Sequence, residues 1–179
     1  MKARAAFRLG LLALLLALCG CLPATRETHV DPGRVRVYFS PSGGAERAVV
    51  EEIDQAAKEI LVQAYTFTNK AIIAALRRAA RAGVNVRLIL DKSCASEHDG
   101  SQAKAARSIG PTSIDAEHAI AHNKVMIIDG VRVITGSFNF TNAAEDKNAE
   151  NLLILDSPEL AASYRDNWKT HQAHSEAYK

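Results

Sequence analysis

The sequence predicts one mixed α/β domain, and three observations carry that expectation. Apolar runs of strand length alternate with stretches of helical period from residue 35 to residue 90. A hairpin signal, Asp129-Gly130, separates two further apolar runs. The chain has 179 residues, 47% hydrophobic and 23% charged, enough for one core and unlike a disordered or disulfide-dense composition.

Val35, Val37 and Phe39 alternate with Arg34, Arg36 and Tyr38, the period of a half-exposed strand, which Pro41 and Gly43-Gly44 end. Val49, Ile53, Ala56 and Ile60 then fall on one helical face, predicting a helix over Ala45–Lys58. Ile60–Tyr65 is an apolar strand. Asn69 caps a second helix whose buried stripe is Ile72, Ile73, Leu76 and Ala80, and Gly83 stops it. Val84–Leu90 is a third strand, so the alternation predicts parallel pairing under covering helices. A polar loop, Asp91–Gly100, leads into a short helix over Ser101–Ser108 that Gly110 closes. Ala121–Ile128 and Val131–Thr135 form the hairpin, and Asn151–Leu155 is a further strand. Ser157-Pro158 opens a last helix in which Leu160, Tyr164 and Trp168 recur every four residues and pack on the sheet. No internal repeat is present.

Ahead of this domain, Lys2, Arg4 and Arg8 precede an apolar run, Leu9–Leu18, too short to span a bilayer comfortably, which reads as a signal peptide over residues 1–20. Its loss removes three cations and leaves 19 Lys and Arg against 20 Asp and Glu, a net of −1. Affinity for polyanions must then come from a local patch. Residues 21–33, polar with two prolines, form a tether, and the domain occupies 34–176. Leu18-Cys19-Gly20-Cys21 resembles the lipobox of bacterial lipoproteins, with Cys21 the acylated residue and Leu22, not Asp, after it. That likeness implies an exported, periplasmic protein anchored by lipid, the outer membrane being the favoured destination; plain signal cleavage is the alternative. With Cys19 removed and Cys21 acylated, no intrachain disulfide is then possible, and Cys94 stays a thiol.

If Asp129-Gly130 is a two-residue turn, Thr135 lies across from Lys124 and Ser137 across from His122. His122, Lys124, Ser137 and Asn139 then share one face, with Gly136 allowing close backbone approach beside them. Such a set suits phosphate: Lys and Asn hold oxygens while the imidazole attacks phosphorus or moves a proton.

His122-Asn123-Lys124, Asp129 and Gly136-Ser137-Phe138-Asn139 resemble the HxKxxxxD…GSxN motif of the phospholipase D superfamily, and the stretch through Asn148–Asn151 is similar to its short bacterial endonuclease branch. The resemblance covers about Val35 to Trp168. It implies a phospholipase D-like mixed-sheet sandwich, with His122 as a nucleophile forming a phosphohistidine. Lys124, Asn139 and Ser137 would line the phosphate pocket, and Glu150 would accept a hydrogen bond from the far imidazole nitrogen. Asp129 belongs to the motif, yet its place in the turn assigns it to structure. One motif copy per chain implies a homodimer with a shared active site and a second His122 as proton donor, so activity should peak within a unit or two of about pH 6.5.

Further candidates are weaker. Lys92 heads a loop at a strand end and could touch substrate; Phe138 or Phe140 could stack on a base, core packing being the alternative. His118 reads as a pocket-rim or structural residue, because no Cys or third His stands near His118 and His122 to complete a metal set. His98, His171 and His174 receive no role. Arg77, Arg78 and Arg81 complement a helix C-terminus or track phosphate. The expected activity is metal-independent and cofactor-free hydrolysis of nucleic acid, DNA and also RNA, with low sequence specificity. Two alternatives stand beside it: a phospholipase acting on phosphatidyl headgroups, and a non-catalytic phosphate-binding module.

Overall fold

The computed structural model describes Asp31 and residues 34–179, so the signal, Cys21 and nearly all of the tether lie outside the described residues. A single eight-stranded sheet carries the fold: β1 (Val35–Ser40), β2 (Glu59–Ala64), β3 (Asn85–Asp91), β4 (Thr112–Asp115), β5 (Lys124–Ile128), β6 (Arg132–Gly136), β7 (Glu150–Asp156) and β8 (Glu176–Ala177). Their spatial order is β1-β7-β6-β5-β2-β3-β4-β8. The parallel expectation holds for β2 and β3, which the unforeseen β4 joins in parallel, while β1 sits at the far edge, antiparallel to β7.

Two layers of helix cover the sheet. Helices α1 (Ala45–Asp54) and α2 (Lys70–Arg81) lie over one face, where Ile60, Val62, Leu88, Leu90, Met126, Ile134 and Ile154 meet Val49, Ile53, Ile72 and Leu76. The other face, Leu61, Ile89, Val125, Ile127 and Val133, is closed by Ala161 and Trp168 of α6, a helix over Pro158–His174. Trp168 also donates its indole N–H to the Val62 carbonyl at 3.1 Å. Short helices α3 (Ser93–Ser96), α4 (Ser101–Arg107) and α5 (Asn142–Asp146) fill the connections. None of the described helices is long and apolar enough to cross a membrane.

Two carboxylates explain where elements stop. Asp129 accepts from the backbone N–H groups of Ala57, Lys58 and Glu59 at 2.8–2.9 Å, which draws these residues out of helical geometry and ends α1 at Asp54 rather than at Lys58. Asp91 accepts from the N–H of Ala121 at 2.8 Å, so the expected strand over Ala121–Ile128 begins only at Lys124.

The hairpin corrects the expected register. Asp129 and Gly130 both have positive φ, 52° and 68°, and the N–H of Val131 donates to the Ile128 carbonyl, as in a two-residue turn. Arg132, not Val131, then pairs with Ile128. Val131 is an exposed bulge that slides every later pair by one residue. Continuing the register sets Gly136 across from Lys124, in place of Thr135, and takes Ser137 out of line with His122.

Candidate active site

The site lies at the end of the sheet where β2, β3 and β6 finish and β5 and β7 begin. His122 is exposed on the turn just before β5, and Lys124, the first residue of that strand, is buried. His122 lies outside the strand, and the two are joined through the backbone, Lys124 Nζ donating to the His122 carbonyl at 2.8 Å. Tyr65, just beyond β2, completes the contact, with its ring centroid 4.5 Å from the His122 ring and 5.0 Å from Lys124 Nζ.

Glu150, the first residue of β7, faces this group. Its carboxylate accepts from Ser137 Oγ at 2.6 Å and from the Asn148 amide at 3.1 Å. The hydrogen bond expected between Glu150 and the His122 ring is thus replaced by these two. Burial lowers the Lys124 ammonium below its ordinary value of 10.5, and the charge of Glu150 works in the opposite sense.

Gly136 shows why this turn needs glycine. Its φ is +145°, and a Cβ there would lie 2.3 Å from the Asn151 carbonyl oxygen. That close approach lets the Asn151 carbonyl accept the N–H groups of both Ser137 and Phe138, at 3.1 and 3.2 Å. Ser137 Oγ in turn accepts from the Asn151 N–H at 3.1 Å. Two residues on, Asn139 Oδ1 is buried and has no partner among the described residues.

The remaining candidates divide. Asp129 sits in the turn at the opposite end of β5, as its position implied. Lys92 is exposed and donates to the His118 carbonyl at 3.0 Å. Phe138 and Phe140 are fully buried in the core, which corrects the expectation that one of them stacks on a base. Arg77 and Arg78 are engaged by Ser108 and Asp54. Cys94 is buried, its thiol 3.1 Å from the Tyr65 carbonyl.

His118 belongs to a cluster that spacing along the chain could not reveal. It stands with Asp115, His171 and His174, four residues whose donor atoms lie within 4.8 Å of one another. Tyr65 and Asp91 were also missed, and each could have been found as a polar residue at the carboxyl end of a buried strand.

An exposed imidazole near a sunken ammonium, with a hydroxyl–carboxylate pair facing them, can bind and attack a phosphoryl group. Comparisons with known proteins place the chain in a family. Residues 49–171 match the family described as cardiolipin synthase, PLD-like domain. The chain is 41% identical over 146 residues to a phospholipase D of Rickettsia conorii, covering 82% of this chain and 73% of the relative. It is 33% identical over 106 residues to a mitochondrial cardiolipin hydrolase of Xenopus laevis, across 59% of this chain and 50% of that one. Among solved structures, a phospholipase D family member, Nuc, from Salmonella typhimurium superposes with a TM-score of 0.75 at 38% identity, over 81% of this chain and 97% of that one. NucT from Helicobacter pylori, at 21% identity and a TM-score of 0.67 over 80% of this chain and 99% of that one, shares the fold. The chain therefore belongs to the phospholipase D superfamily and is one of its phosphodiesterases.

Proposed function

We propose that this protein hydrolyses nucleic-acid phosphodiester bonds by way of a phosphohistidine on His122, without a metal in the reaction. A ring nitrogen of His122 attacks phosphorus and forms a P–N bond as the P–O bond to the leaving strand breaks. The partner subunit's His122, protonated, gives its proton to the departing oxygen; water then cleaves the P–N bond, and its proton returns to that second imidazole. Lys124 Nζ and the Asn139 amide N–H hold the nonbridging oxygens, Ser137 lines the pocket, and Glu150 fixes Ser137. The placement of the exposed His122 ring beside the buried Lys124 ammonium carries this assignment.

A polyanionic substrate is supported by Lys70, Lys92 and Lys147, all exposed and all on segments that open at the same end of the sheet. With so few phosphate contacts, binding should weaken with salt along a modest slope. A second reading, hydrolysis of phosphatidyl headgroups, is favoured by the names of the Rickettsia relatives and by Ile120, 56% exposed and two residues from His122. Offering plasmid DNA and phosphatidylcholine vesicles to the same preparation separates the two. Nicking of DNA that is lost in His122→Ala supports the nuclease; lipid turnover without nicking overturns it. Labelled phosphate retained on the His122 peptide after a rapid denaturing quench would identify the nucleophile. A non-catalytic phosphate-binding module would turn over neither substrate.

A further inference from the structure

Away from the Lys124 pocket, the end of β4 and the end of α6 meet around one carboxylate. Asp115 is fully buried, yet three imidazoles converge on it. His171 Nδ1 stands 2.7 Å from Asp115 Oδ2, His118 Nδ1 3.2 Å from both carboxylate oxygens, and His174 Nε2 3.3 Å from Oδ2. The three rings are packed with centroids 4.9–5.3 Å apart. His171 and His174 are three residues apart in the last turn of α6, hence on one helical face. His118 reaches the same point from the turn after β4.

Hydrogen bonding alone leaves this group incomplete. His174 Nε2 is buried and makes no well-formed hydrogen bond among the described residues, its nearest acceptor being Asp115 Oδ2 at 3.3 Å. A buried, unpaired imidazole nitrogen costs stability, and a cation accepting its lone pair would remove that cost. Three imidazole nitrogens and one carboxylate oxygen are a borderline-hard donor set of four. A tetrahedral Zn²⁺ with bonds of roughly 2.0–2.1 Å keeps its donors about 3.3 Å apart. The donors stand 2.7–3.3 Å from Asp115 and within 4.8 Å of one another, so the short contacts must open and the widest pair must close around an ion to reach that arrangement.

We propose that Asp115, His118, His171 and His174 form a structural binding site for a divalent transition-metal ion, with Zn²⁺ the fitting occupant. Four protein donors close such a site to water, so the ion acts on the fold and not on the phosphate. Its effect is local to two elements. It clamps the end of α6 onto β4, and it fixes the turn from His118 to Ala121, which Lys92 and Asp91 already hold by the His118 carbonyl and the Ala121 N–H. That turn delivers His122. The site's existence does not depend on which phosphodiester the enzyme cleaves.

The full chain, stripped of metal by dialysis against a chelator and then freed of it, is titrated with Zn²⁺ and with Co²⁺. One equivalent should bind, raise the melting temperature by several degrees, and give the visible d–d absorption of four-coordinate Co²⁺ without a thiolate charge-transfer band. His171→Ala and the milder His118→Ala should each weaken binding by more than the roughly 10–100-fold typical of a lost outer-shell partner. His122→Ala and His98→Ala should bind as the parent does. Absence of saturable binding at micromolar Zn²⁺, an octahedral or thiolate cobalt spectrum, or binding that survives loss of both His118 and His171 would each overturn the assignment. The cobalt spectrum of the unaltered chain decides the matter even if a variant folds poorly.

Discussion

Lys124 Nζ spends one of its three protons on the carbonyl of His122, two residues earlier in the same chain, at 2.8 Å. The ammonium thereby also shapes the backbone that presents the His122 ring, and the two cannot shift independently.

That arrangement has a measurable electrostatic consequence. Burial holds the Lys124 ammonium below 10.5, and Glu150 offsets part of the effect. Glu150→Gln removes the opposing anion, so Lys124 should titrate lower still, and activity at alkaline pH should fall off earlier than in the parent. Nitrogen-detected NMR of Lys124 in the His122→Ala background reads the titration directly. An unchanged or raised value in Glu150→Gln would contradict this account.

Lys124→Met, of similar length, removes the penalty burial places on the charge but also the hydrogen bond to the His122 carbonyl, so it should melt close to the parent while losing about 10²–10³-fold in turnover. Thermal unfolding and initial rates on one preparation test both halves.

Asp129 should show the converse pattern, a loss of stability without loss of chemistry. Burial works to raise its pKa, but the three backbone N–H groups it accepts lower it overall. A carboxylate depressed in the folded state stabilises above its unfolded value, about 3.9, and that contribution fades as pH falls through the lower folded value. Asp129→Ala should therefore cost about 2 kcal/mol at pH 7 and progressively less in acid, with activity per folded molecule retained. Denaturant unfolding at several pH values checks the sign.

What the sequence could convey depended on how far apart the partners lie. The Asp129-Gly130 turn was legible because two adjacent residues encode it. The bulge at Val131 was not: β5 is buried on both faces, so Lys124–Ile128 carries no in-out alternation to fix its register. β4 escaped notice because Thr112-Ser113-Ile114-Asp115 is short and polar, and β8 has two residues. The site motif was visible because it is contiguous over His122–Glu150. The pairing of Asp115 with His171 spans 56 residues and two elements, and no local pattern announces it.

Gly136 offers a test of how tightly the turn into the site is built. Gly136→Ala would press a Cβ against the Asn151 carbonyl and require φ near +145° of a residue that avoids it. Ser137 and Glu150 hang from that same backbone, so the substitution should lower turnover as well as stability. Loss of stability alone, with the rate per folded molecule intact, would show that the Ser137–Glu150 contact tolerates displacement.

The shared-site reading of the dimer makes a prediction about numbers rather than about a residue. If each phosphoryl transfer uses one His122 as nucleophile and the other subunit's as acid, a dimer with a single intact histidine is inactive in either orientation. Parent chains co-refolded with an equal amount of His122→Ala chains should then yield about one quarter of the activity that the same total of parent chains gives, since only that share of random dimers is fully equipped. Independent sites would yield half. Activity that follows the square of the parent fraction across a mixing series requires the two-histidine step, and a linear series would exclude it.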